Sequence, residues 1–318
     1  MFLAYLPSPP SSGLSIGPLE LRMYGLAIAV GIVVAIRIVG HILEQEKIGT
    51  LDDAVSIGMW GAAAGVVGAR LYHVITDWYR FSDNLSAIPK IWEGGLGIPG
   101  GLLAGALVGV WQARRRGVAV GPTLSAAAVA IPVAQAIGRL GNWFNQELFG
   151  RPTTLPWGLK IDDAHLPAGY ESGTLFHPTF LYEGLWNLGL AALLWTIHRR
   201  YRPAPGRLMG MYVLGYGVGR FWVESLRIDS ATMIGPMRVN QWVSLVAIAA
   251  GLLYLIATRG RRWPEMHDEI ESGDEPEGDD LIEMSARPDD QKMVESDDAS
   301  DPAEQNPVDK PDASTPET

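Results

Sequence analysis

The stretch YGVGRFWVESLR spaces its charged and phenolic side chains at helical intervals. Tyr216, Arg220 and Glu224 are four apart and Arg227 stands three beyond Glu224, so an α-helix puts all four on one face. Ionised groups inside an apolar segment are costly unless they pair or face a polar cavity. Arg220 can pair with Glu224 and still have donors left, because a guanidinium presents five N–H groups in a fixed fork. The arginines outnumber the single acid on this face, which points to an anion-binding seam; the plainer alternative is a structural ion-pair ladder. A second polar group lies in GRLGNWFNQELFG, residues 138–150, where an apolar run ends. Arg139, Asn142 and Gln146 fall broadly on one side of a helix, with Asn145 beside them and Glu147 offset. Arginine forks suit phosphate oxygens, and the phosphate available at a bilayer edge is a phospholipid headgroup. Simple anchoring of the helix end among headgroups is the competing reading.

Two further constellations are weaker. Arg70 and His73 are three apart with Asp77 four beyond, near the end of another apolar run. HPTFLYEGLWN holds His177, Tyr182, Glu183 and Asn187, of which Glu183 and Asn187 share a helix face while His177 precedes Pro178. No histidines and carboxylates stand at a characteristic metal-binding interval, so no metal site is expected.

These groups need elements to hold them, and the elements are apolar. A span of the hydrocarbon core takes about 20 mostly apolar residues, and such runs fall at 19–40, 54–76, 98–113, 121–144, 179–198, 207–225 and 237–258. The expected fold class is therefore an all-α integral membrane protein of seven transmembrane helices. The third run is short and glycine-rich, and the first lacks the basic start and cleavage site of a secretory signal. Positive charge favours the cytoplasm. Arg114, Arg115 and Arg116, then Arg199, Arg200, Arg202 and Arg207, then Arg259, Arg261 and Arg262 fall on one side, which places the amino terminus outside and the carboxyl terminus in the cytoplasm. The longest connection, residues 145–178, leaves room for a small external cap. PKIWEGGLGIPGG, residues 89–101, reads as a membrane-edge loop or a simple external connection.

The formal charge of −10 is unevenly spread. From Trp263 onward there are 20 acidic and 3 basic residues, leaving 15 acidic and 22 basic in residues 1–262. The organisation expected is a membrane-embedded domain over 1–262 and an acidic, solvated cytoplasmic tail over 263–318. The chain has no cysteine, so thiol chemistry must use a partner's thiol. Small residues recur at Gly61/Gly65, Gly101/Gly105/Gly109 and Gly215/Gly219, a spacing that lets helices approach closely in a bilayer. GLGIPG, residues 95–100, fits a dinucleotide fingerprint only in letters, since it enters a span and follows no strand. RRR and RRYR read as topology signals, and nucleic acid is not an expected partner.

The chain closely resembles the prolipoprotein diacylglyceryl transferase family. The resemblance rests on LRMYG around Tyr24, GARLYH around Arg70, GGLGIPGG, GRLGNWFNQELFG, HPTFLYE and YGVGRFWVESLR, and covers residues 15–260. It implies an enzyme of the bacterial cytoplasmic membrane, with its active site toward the outer face. The enzyme moves diacylglycerol from phosphatidylglycerol to the lipobox cysteine of an exported prolipoprotein and releases glycerol phosphate. Its partners are then phosphatidylglycerol, lipobox-bearing signal peptides and membrane lipids; no cofactor is required, because the lipid carries its own leaving group. A transporter of phospholipid or small anions, or a non-catalytic lipid scaffold, is the alternative.

Carried over residue by residue, the resemblance implies substrate and phosphate contacts for Tyr24, Arg139, Asn142, Asn145, Glu147, Arg220, Glu224 and Arg227. Arg70, His177, Tyr182, Glu183 and Tyr216 join the substrate-binding set. Arg139 and Arg220 are the expected stabilisers of charge on the leaving phosphate, Glu224 orients Arg220, and Glu147 or Glu224 is a candidate proton acceptor. Many members carry histidine where this chain has Pro99. Proline can neither take nor give a proton, so another group, or the phosphate itself, must serve.

Overall fold

The computed structural model describes residues 5–16 and 19–260. The acidic tail expected over 263–318 lies outside the described residues, as do Arg261 and Arg262.

Seven long α-helices account for most of the described residues: α1 Met23–Gln45, α2 Leu51–Thr76, α3 Ile98–Arg115, α4 Val120–Phe144, α5 Thr179–Tyr201, α6 Arg207–Leu226 and α7 Val239–Ala257. Five of them, α1, α2, α4, α5 and α7, are long and apolar enough to cross a membrane. The other two are diluted: α6 carries Arg207, Arg220 and Glu224, and α3 is glycine-rich with Arg114 and Arg115 in its last turn. Large apolar side chains such as Val33, Met59, Leu103 and Val246 face outward, as expected where lipid rather than water is the neighbour. This is a multi-pass membrane protein with an all-α framework.

The first span is corrected at both ends. Residues Leu19–Arg22 form strand β3, paired antiparallel with β2 (Gly13–Ile16), and the helix starts only after Arg22, whose backbone is extended. At its other end the helix runs on to Gln45, because Ile42 and Leu43 bury against neighbouring helices.

Glycine decides how closely α2 and α3 pack. A Cβ on Gly101 or Gly105 would stand 3.1 Å from the carbonyl oxygen of Gly65 or Gly61 respectively, so a larger side chain would force the backbones apart. α4 is the central element, packing against α1, α5 and α6. The main core gathers Ile42, Ala126, Ala128, Val129, Leu190, Leu194, Leu208 and Tyr212 from α1, α4, α5 and α6.

A small cap closes one end of α4 and α5. Strand β1 (Leu6–Pro7) pairs parallel with β4 (Leu159–Lys160), which pairs antiparallel with β5 (Leu175–Phe176). Beneath this sheet Phe149, Leu159, Ile161, Phe176 and Phe180 form a separate apolar cluster. A two-stranded hairpin of β6 (Met233–Ile234) and β7 (Met237–Arg238) joins α6 to α7. The segment between α2 and α3 is made of three single 3-10 turns.

Candidate active site

Arg139 sits near the carboxyl end of α4, where α4 and α5 run past each other in opposite directions. Its guanidinium donates to Asn142 Oδ1 at 3.0 Å and to Glu183 Oε1 at 2.5 Å. Glu183, one turn into α5 and only 4% exposed, also receives Arg220 Nη1 at 3.3 Å on its other oxygen. One buried carboxylate thus bridges arginines from α4 and α6. The amide of Asn142 passes the contact on, donating to Glu147 Oε1 at 2.8 Å, which Asn145 also meets at 3.3 Å.

The second node is Glu224, fully buried on α6. Arg220 Nη2 lies 2.7 Å and Arg227 Nη1 3.4 Å from its Oε2, ion pairs whose alignment falls outside hydrogen-bond geometry. Its Oε1 receives Arg238 Nε at 2.7 Å and Asn240 Nδ2 at 3.2 Å. Arg227 closes a bidentate pair with Asp229, at 2.7 and 2.8 Å, and Arg238 reaches the same carboxylate at 3.0 Å. Burial alone would raise the Asp229 carboxyl, but the hydrogen bonds and charge of Arg227, and then the charge of Arg238, outweigh it and hold the group below the usual aspartate value.

Between these nodes lies a small enclosed space, too tight for a water molecule as it stands, lined by Arg139, Asn142, Leu148, Thr179, Phe180, Glu183 and Arg227. Leu148, in its lining, belongs to a strained turn. Gln146 and Leu148 both take positive φ, 51° and 60°, and are held there from outside. The Gln146 amide donates to Pro9 O and Asp162 and accepts from the Asp162 backbone N–H, and Leu148 O accepts from Thr179 Oγ1. A groove of ≈ 550 Å³ lies between α5 and α6, lined by Tyr182, Leu185, Trp186, Gly189, Leu190, Leu193, Gly215 and Trp222. Except for the tyrosine and tryptophan edges it is hydrocarbon.

The other residues singled out from sequence fall in three places. Tyr24 packs on α4 at Gly141, a position with no room for a side chain, and so stands beside the Arg139–Asn142 turn. Tyr216 lies one turn below Arg220 with its ring 5.9 Å from that of Tyr212. His177 Nδ1 is 3.1 Å from the Tyr182 hydroxyl, which also receives Trp157 Nε1 at 3.1 Å, so this pair ties the cap to α5 at the head of the groove. Arg70 is directed elsewhere. Its guanidinium donates to the carbonyls of Ile88, Ala87, Gly94 and Gly95 and lies over the Phe81 ring, holding the loop before α3. His73 pairs with Asp77 at 2.8 Å in the same neighbourhood.

Arg238, Asp229 and Asn240 belong to the cluster but were not singled out from sequence. Asp229 had a local signal, since RID places it two beyond Arg227; Arg238 and Asn240 depend on the hairpin folding back, which no spacing rule reports.

Residues 12–257 match the family model for prolipoprotein diacylglyceryl transferase. The chain belongs to the prolipoprotein diacylglyceryl transferase family. Among its relatives, the phosphatidylglycerol–prolipoprotein diacylglyceryl transferase of Rhodococcus jostii (strain RHA1) is 45% identical over 280 residues, covering 82% of this chain and 77% of the relative. The enzyme named phosphatidylglycerol–prolipoprotein diacylglyceryl transferase 2 of Streptomyces coelicolor is 44% identical over 268 residues, covering 82% and 83%. That of Mycobacteroides abscessus is 43% identical over 280 residues, covering 82% and 81%. The matched region of this transferase family takes in every residue of the arginine–carboxylate cluster.

Proposed function

We propose that this protein transfers the diacylglyceryl group of phosphatidylglycerol to the thiol of a prolipoprotein lipobox cysteine, forming a thioether and releasing glycerol phosphate. The observation that carries the reading is the convergence of Arg139, Arg220 and Arg227 from α4, α6 and the end of α6 on the buried carboxylates Glu183 and Glu224, with Arg139 and Arg227 lining one small polar space, and with an apolar groove between α5 and α6. An anionic headgroup and a hydrocarbon tail need that juxtaposition.

In this reading the phosphate opens the tight space beside Arg139 and Arg227 as it seats there, and an acyl chain lies along the groove between α5 and α6. Arg139 and Arg220 stabilise the charge that grows on the leaving phosphate oxygen; donors already in place in a dry site need no reorganisation during the reaction. Asn142 and Asn145 position the headgroup, and Tyr24 and Tyr216 border it. Glu224, gripped by three arginines, fixes the directions of Arg220 and Arg227. His177 and Tyr182 sit where an incoming peptide meets the cap. Arg70 acts at one remove, by shaping the loop before α3. The sulfur displaces phosphate from the terminal glyceryl carbon, and no cofactor is needed.

All seven long helices are taken as spans, with the amino terminus and the site on the outer face and the carboxyl terminus in the cytoplasm. Residues 1–262 then form the membrane-embedded transferase domain and 263–318 an acidic cytoplasmic tail. The arginine-rich connections 114–116 and 199–207 support this orientation.

The test is direct. Purified protein is incubated with phosphatidylglycerol and a lipobox peptide, and the products are weighed by mass spectrometry. A diacylglyceryl gain on the cysteine peptide and none on its alanine counterpart is expected. Lipid binding with no covalent product would instead leave a scaffold or a transporter.

A further inference from the structure

The site as described leaves the thiol proton without a destination. We infer that Glu183 accepts it, once the arriving phosphate has drawn away the arginines that occupy its oxygens; the inference rests on the transfer reaction proposed above.

Among the described residues the cluster holds four carboxylates, and geometry separates them. Glu224 has four partners, and three of them, Arg220, Arg238 and Asn240, do not line the enclosed space. Asp229 is locked bidentate on Arg227. Glu147 receives amides from Asn142 and Asn145 and does not line the space. Glu183 is the one carboxylate in the lining, and both of its partners are arginines: Arg139, itself in the lining, at 2.5 Å, and Arg220, outside the lining, at 3.3 Å. Both of its oxygens are occupied by these cations. A phosphodiester seated against the same N–H groups draws them away. A buried carboxylate deprived of its cations and kept from water favours its neutral form.

The reaction then balances. The S–H bond breaks and its proton goes to a Glu183 oxygen. The sulfur electron pair forms the C–S bond to the terminal glyceryl carbon, and the C–O bond to phosphate breaks with its pair left on the phosphate oxygen. Arg139 and Arg220 follow the charge onto the product, and the proton leaves Glu183 with the glycerol phosphate as the arginines return.

A second observation lies one turn deeper. Asn187, four residues beyond Glu183 on the same face of α5, is fully buried and neither of its amide atoms has a hydrogen-bond partner. Gln135, four residues before Arg139 on α4, has an unpartnered buried oxygen as well. Orphaned polar atoms of this kind are rare in folded proteins unless something polar meets them. One helical turn from Glu183 and from Arg139 on their own helices, they are unsatisfied acceptors of the kind a newly neutral carboxyl needs for its O–H, reached directly or through a buried water.

The test compares Glu183→Gln and Glu183→Asp with the wild type in the peptide-lipidation assay between pH 6.5 and 9, with phosphatidylglycerol binding measured on the same preparations. The charged groups facing this position are Arg139 from α4, Arg220 with Tyr216 and Tyr212 from α6, Glu224 behind Arg220, and Arg227 after α6. Glu183→Gln is expected to bind phosphatidylglycerol at least as tightly as the wild type, since a competitor for the arginines is gone. Its turnover at pH 7 should fall by about 10²-fold or more, the usual contribution of a positioned base. The deficit should shrink as pH approaches roughly 8.5, where a free thiol ionises unaided. Glu183→Asp keeps the charge and should fold normally with intermediate turnover. A Glu183→Gln variant with wild-type turnover overturns the inference, as does a deficit unchanged across pH or a loss of phosphatidylglycerol binding. So does a Glu183→Asp variant whose pH profile matches that of Glu183→Gln. Absence of thioether product from the wild type would overturn the transferase reading instead.

Discussion

Arg238 offers the most demanding test of how the cluster is built, because it faces away from the enclosed space yet supports the groups that line it. Arg238 is 12% exposed and Glu224 fully buried, with 2.7 Å between them. At an effective dielectric of about 20 that separation corresponds to roughly 6 kcal/mol of gross attraction. Removing Arg238 does not strand Glu224, since Arg220 and Arg227 remain at 2.7 and 3.4 Å. Desolvation and these remaining cations offset much of the gross figure, leaving a net coupling of about 2–3 kcal/mol, at the upper end of what contacting pairs show.

Two consequences follow for Arg238→Ala in detergent. Thermal stability should fall, and lipid transfer should drop by about 10²-fold, since 1.4 kcal/mol is a factor of ten and Arg220 and Arg227 are drawn toward an under-compensated Glu224. Adding Glu224→Gln removes the excess charge. The double variant should therefore recover stability relative to the sum of the single changes by that same 2–3 kcal/mol. The assay is a double-mutant cycle read by unfolding midpoints and by peptide lipidation rates. Additivity within about 0.5 kcal/mol would refute the coupling and make Arg238 a mere helix cap.

Three further outcomes are expected. Arg139→Ala and Arg220→Ala should each insert into membranes normally and lower transfer by about 10²–10³-fold, the usual cost of one preorganised donor on a developing oxyanion, measured on purified, correctly folded protein; wild-type turnover by both would remove them from the chemistry. Asp229 should contribute stability that is fully present above the ordinary aspartate value of 3.8 and lost as pH falls through its depressed folded value, so the unfolding midpoints of wild type and Asp229→Asn should differ at neutral pH and converge in acid. Pro99→Ala should retain transfer in the peptide assay, because Pro99 stands in the first turn of α3, where its missing N–H leaves no helical bond unmade.

The apolar runs placed the seven helices to within a few residues, since hydrophobicity over a span's length is a property of the chain itself. The first helix departed because LELR directly adjoins the apolar run, while its alternation of leucine with charge suits a strand and pairing with residues 13–16 draws it into one. The seam on α6 was legible for the same reason: Arg220, Glu224 and Arg227 are related by intervals of four and three within one element. Glu183 was singled out only as one polar residue among several. Its partners stand 44 and 37 residues away on other helices, and only the crossing of α4, α5 and α6 makes it the bridge. Arg70 shows the converse. Its spacing with His73 invited a site, but its partners are backbone carbonyls, which any sequence supplies and none advertises.

Charge balance connects this architecture to the kind of lipid it can use. The contact network joins Arg139, Arg220, Arg227 and Arg238 to Glu147, Glu183, Glu224 and Asp229, so without substrate its formal charges cancel. A phosphodiester monoanion brings one negative charge into a space too tight to admit a counterion with it. Neutrality returns if one carboxylate takes up one proton, and the reacting thiol is the group with a proton to give. Lipid anion and thiol proton then enter as a pair, which couples thiol activation to the presence of the correct lipid. A zwitterionic headgroup carries its own cation; it would add no net charge, leave every carboxylate ionised and press an ammonium toward arginines. Selectivity for an anionic donor such as phosphatidylglycerol follows from the same four arginines and four acids that activate the thiol. Replacing phosphatidylglycerol by phosphatidylethanolamine in the peptide assay should accordingly abolish transfer by the wild type, and equal rates with the two lipids would break the link between charge balance and catalysis.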